Sequence, residues 1–166
     1  MTAKNPNELV ADLARTQVAA IAPDELPLFR VTSDAFFQDP AKTLGATKKG
    51  EDMLGFGAAE ALAFVTPVIL AMATEVVQYL ATELGKTLKA EGSGFIQETI
   101  RGLFSQVRRP DAASVVPPPA SGAALSQDQL REVRRIALQR ALDLKVPEAQ
   151  ATLLADSLVG GLVAAA

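Results

Sequence analysis

Histidine, cysteine and tryptophan are missing from all 166 residues, and tyrosine occurs once. No disulfide can form. Metal sites built on His or Cys, Cys nucleophiles and Ser-His-Asp triads are excluded with them. Charge of one sign is lacking too: 16 Lys and Arg stand against 19 Asp and Glu, for a net charge of -3. These charges are spread along the chain, so a large phosphate-binding face is not expected and no nucleic-acid partner is assigned. The first residues, Met1 to Asn7, show no apolar run behind a basic start. No signal peptide is therefore expected, and the expected location is the cytoplasm, including the cytoplasmic face of a membrane or insertion in it.

What is present is apolar and helical in period. Hydrophobic residues make up 49% of the chain and charged residues 21%, enough to build a core of ordinary size. A first helix is expected from Asn5 to about Ile21. Asn5 is placed to cap, Pro6 takes the first helical position, and Leu9, Leu13, Val18 and Ile21 recur at helical spacing. After Ala22-Pro23, Leu28, Val31, Ala35 and Phe36 fit one helical face, with a short strand at 28–32 as the alternative. Asp39-Pro40 is suited to cap a further turn ending at Gly45.

The least ordinary stretch is Leu54 to Ala73, LGFGAAEALAFVTPVILAMA, whose only charge is Glu60. Pro67 must kink or restart a helix there, and Thr66 is suited to cap the second piece. Beyond Thr74 the pattern is amphipathic. Ile69, Ala73, Val76, Leu80, Leu84 and Leu88 fall on one side, with Glu75, Gln78, Thr82, Lys86 and Lys89 on the other. Phe95 to Arg109 reads as a second, shorter amphipathic helix. Asp111 to Ala124, with Pro117-Pro118-Pro119, has the composition of an extended linker.

The strongest local signal follows. Ser126 and Gln129 make a capping box, and Leu125 and Leu130 are placed as a hydrophobic staple. Leu130, Val133, Ala137, Ala141 and Leu144 line one face of that helix, and Arg131, Arg134, Arg135 and Lys145 the other. Val146-Pro147 turns the chain into a second helix from Glu148 to about Val159, carrying Ala151, Leu154, Ala155 and Leu158, which Gly160-Gly161 is expected to end.

The expected fold is all-α: a helical bundle with a long kinked apolar helix, plus a C-terminal αα-hairpin on a Pro-rich linker. The expected division is a helical body over 1–110 containing the apolar segment 54–73, a linker over 111–125 and the hairpin module over 126–166.

Two functional readings follow from the apolar segment. Its length matches the ~20 residues that a ~30 Å hydrocarbon core requires. Gly55, Ala59 and Ala63 form a small-residue stripe that permits close helix contact, and Lys48 and Lys49 precede the segment. Its eight Leu, Ile, Phe and Val residues favour insertion by roughly 2–5 kcal/mol, and Glu60, Pro67 and two glycines oppose it by a comparable amount. The leading expectation is a non-enzymatic helical protein acting at a membrane by insertion or surface association. Its contact residues would be Leu54, Phe56, Phe64, Val65, Ile69, Phe95, Ile96 and Phe104. The hairpin residues Leu130, Val133, Ala137, Leu154 and Leu158 would dock on a protein partner or a second copy. The alternative is a soluble helical adaptor or assembly protein whose apolar segment is simply its core.

Catalysis has little to work with. Asp24-Glu25 and Glu51-Asp52 are adjacent carboxylates beside turn signals, and they read as caps or solvated turns rather than an acid–base pair. Gly92-Ser93-Gly94 lacks the Lys of a phosphate-binding loop. The Arg-rich face of 130–144 reads most simply as a solvated helix face diluted by Asp128, Glu132 and Asp143. No enzymatic activity, catalytic residue, cofactor, metal or small-molecule substrate is assigned.

The linker composition generates a first prediction. Limited proteolysis of the full chain should cut first within 111–124 and leave an N-terminal fragment that stays helical by circular dichroism. A first cut within Ile69 to Leu88 would contradict the division into body and hairpin.

Overall fold

A computed structural model describes residues 5–45, 65–87, 99–101 and 125–163. The fold class is all-α, with no strand among the described residues. Helix α1 spans Pro6–Ile21, and a 3-10 turn over Pro23–Leu28 leads into α2, Phe29–Gln38. Helix α3 spans Val65–Thr87, α4 Gln127–Asp143 and α5 Glu148–Val163. Residues 99–101 are helical as well.

The starts of these helices follow from their sequences. The Asn5 side chain accepts the Asn7 N–H at 3.2 Å, and Pro6 fills a position whose N–H would have no helical partner. Asp39 accepts the Lys42 N–H at 2.9 Å and opens a helical turn over 40–45. At α4 both halves of the capping box form. The Gln129 N–H reaches Ser126 Oγ at 3.2 Å, and the Ser126 N–H reaches Gln129 Oε1 at 2.9 Å. Leu125 and Leu130 both pack against the core beside it.

Helix α3 is the centre of the arrangement, with α1, α2 and α4 all packed on it. Ile69, Leu70, Ala71, Met72 and Ala73 are five consecutive buried residues, so this part of the helix has no solvated stripe at all. From Thr74 onward the expected amphipathic pattern holds. Val76, Leu80 and Leu84 are buried, while Gln78, Thr82 and Lys86 are exposed. Leu88 and Lys89 lie outside the described residues. Helix α5 packs along α4 and reaches α1, where Gln17 and Ser157 hold each other: Ser157 Oγ donates to Gln17 Oε1 at 2.7 Å, and Gln17 Nε2 to the Ser157 carbonyl at 3.4 Å. One continuous apolar core includes residues of all five helices and Ile100.

The contact between α4 and α5 is built on small residues. Ala137, Ala141, Ala151 and Ala155 are all fully buried, which lets the two helices approach closely, and Val133, Leu154 and Leu158 fill the space beside them. The connection is a helix-ending turn of the Schellman type. The Val146 N–H bonds the Ala141 carbonyl at 3.1 Å and the Lys145 N–H bonds the Leu142 carbonyl at 2.9 Å, with Lys145 at φ 66° in the left-handed region usually given to glycine.

Residues 28–32 are helical, as the leading expectation had it, and the alternative strand does not form. Two local expectations change. Of the face expected from Leu28, Val31, Ala35 and Phe36, only Phe36 is buried; Leu28, Val31 and Ala35 are exposed, and Phe29 and Ser33 join Phe36 in anchoring α2. The two phenylalanines bury more apolar area than the aliphatic stripe and decide which side turns inward. Gly160-Gly161 does not end the last helix, which continues to Val163 with Leu158 and Leu162 buried. A glycine costs a helix only ~1 kcal/mol, and burying one leucine offsets that.

Gly160 thereby becomes a test of the fold. Its position is helical and a Cβ there would meet nothing within 4 Å. Gly160→Ala should stabilise the protein by about 0.5–1 kcal/mol, a rise of a few degrees in Tm, read by thermal unfolding.

Candidate functional site

The most specific constellation in the described residues lies at the start of α3. The Glu25 carboxylate, carried on the 3-10 turn, accepts the Val65 N–H at 3.0 Å, the Thr66 N–H at 2.8 Å and the Thr66 hydroxyl at 2.5 Å. A side-chain acceptor for these two N–H groups is what the first turn of a helix calls for. Pro67 follows and has no N–H to satisfy. A carboxylate at this end also meets the positive end of the helix dipole. Glu25 is half-buried and Thr66 is only 2% exposed, so the contact is largely out of water.

Of the acidic pair 24–25, Glu25 therefore serves as a cap, to a helix whose described residues begin 40 residues later in the chain, while Asp24 is exposed. Sequence spacing does not reveal such a partner. The sequence offers Thr66 as the cap of this piece; instead the Thr66 hydroxyl donates to Glu25, and the capping acceptor comes from a turn elsewhere. The arrangement is structural in its chemistry. Its described partners are two backbone amides and the Thr66 hydroxyl, the donors that a helix cap engages.

The Arg-rich face of α4 is occupied by internal ion pairs. Arg131 meets Asp128 at 3.2 Å, Arg134 meets Asp156 of α5 at 2.5 Å, and Arg135 pairs with Glu132 through two nitrogens. Arg140 Nε stands 3.8 Å from Glu75 Oε1 on α3; it is buried and makes no hydrogen bond. The hydrogen bond and charge of Arg135 hold the Glu132 carboxyl below its ordinary range, and Asp156 likewise raises Arg134. Tyr79 is raised by burial, then by the nearby Glu83 and Glu132. Exposed pairs of this kind add little net stability, and they leave Arg131, Arg134 and Arg135 each beside a carboxylate.

The expected membrane-contact residues divide. Val65 is half-buried and Ile69 is buried within the core, while Leu54, Phe56, Phe64, Phe95, Ile96 and Phe104 lie outside the described residues. Of the second amphipathic segment only 99–101 is described, and Ile100 in it is buried. Glu60 and the linker over 111–124 also lie outside. Of the expected docking residues, Val133, Ala137, Leu154 and Leu158 are buried between α4, α5 and the rest of the core, and Leu130 is half-buried. The structure brings these five together, facing inward. Among the described residues the large apolar side chains left exposed are Leu28 at 66%, Val31 at 69% and Leu153 at 58%. Among the described residues no group of three or more acidic side chains is placed to hold a metal ion.

Comparison with family models, with curated proteins and with solved structures finds no match for this chain.

The Glu25 contact predicts a graded loss. Glu25→Ala leaves two amides and a buried hydroxyl without acceptors and should cost about 1–3 kcal/mol in chemical denaturation. Thr66→Val removes only the hydroxyl and should cost about 1 kcal/mol. Combined, they should cost less than the sum of the two, because Thr66→Val deletes a contact that Glu25→Ala has already broken.

Proposed function

We propose that this chain is a soluble helical adaptor or assembly protein without enzymatic activity, whose apolar helix is its own core. The observation that carries this reading is the enclosure of α3. Its five consecutive residues from Ile69 to Ala73 are buried, under α1, α2 and α4. A helix that has found protein neighbours on all sides of one stretch gains nothing by moving that stretch into lipid. The second support is the set of internally paired arginines on α4, which leaves interaction with other molecules to apolar and mixed surfaces.

A second reading keeps the membrane. Val65–Lys86 is 22 residues long with mean hydropathy 1.3, long and apolar enough by length and composition to cross a bilayer. Core helices of soluble proteins meet the same criteria, and 61% of its most apolar window is buried. In this reading the bundle would open and α3 would insert together with the apolar residues that precede it.

Liposome flotation of the full chain separates the two. The assembly reading expects the wild type to remain in the soluble fraction across anionic and neutral vesicles and to be extracted by carbonate. Glu60→Leu, which removes the only charge between Leu54 and Ala73, should leave that result unchanged. Flotation of the wild type, increased by Glu60→Leu and decreased by Glu60→Lys, would establish the membrane reading instead.

A further inference from the structure

We draw no further inference here: the strongest candidate, the exposed apolar patch made by Val31 and Ala35 on α2 with Leu28 just before the helix, carries none because nothing in the structure shows what covers it.

Discussion

A helix that is apolar around its whole circumference cannot stand beside water, and the requirement to enclose α3 organises the other described elements. Between Val65 and Ala73 the helix carries no charged side chain, and its first charge is Glu75. An amphipathic helix can be covered from one side; this one needs neighbours on several. Helices α1 and α2 take part of its surface and α4 another, and α5 covers the far side of α4. Because α4 and α5 arrive in sequence after 125, the C-terminal helices serve as part of the core's wall. They do not stand as a free module, and two helices of this size gain from that arrangement the buried area they cannot supply alone.

Enclosure brings a second constraint, since a buried helix start exposes amides to an apolar surrounding. The chain meets it with a side chain from another element. Glu25 holds Val65 and Thr66, so the same contact that satisfies the first turn of α3 also fixes the 3-10 turn, and with it the direction in which α2 leaves. Gln17 and Ser157 do the same at a second place, tying α1 to α5 by a donor and an acceptor from each residue. Apolar packing alone tolerates sliding of one helix along another. Directional bonds at two separated points remove that freedom, which gives these few polar contacts a role in register beyond their net stability of ~1 kcal/mol each.

Features that depend on a few adjacent residues were legible in the sequence. The capping box at Ser126, the Asn5-Pro6 start, the Asp39 cap and the two faces of α3 beyond Thr74 are set by spacing within one helix, and the structure has them where the spacing puts them. Features decided by competition between elements were not. Whether Leu28 and Val31 or Phe29 and Phe36 turn inward depends on what α3 offers, and whether Gly160 ends a helix depends on the burial available to Leu162. Glu25 is the extreme case, a local cap by chemistry and a long-range contact by chain position. For the candidate docking residues the sequence carried an ambiguity that it did not carry for the fold. The residues singled out for docking are apolar at helical spacing, which is the same signature as core, and Val133, Ala137, Leu154 and Leu158 are core.

That ambiguity bears on how function is to be sought in an all-helical chain without reactive side chains. Apolar periodicity marks what the fold has already used. An interaction surface is found instead among what it leaves over, where apolar side chains and unpaired charges coincide. On α4, Arg131, Arg134 and Arg135 are spent on carboxylates of the same helix or the next. On α2 Val31 and Ala35, with Leu28 just before the helix, lie outside. The contrast between these two helices, one closed on itself and one left open, is what directs attention to the N-terminal half of the molecule, away from the hairpin that the sequence made more conspicuous.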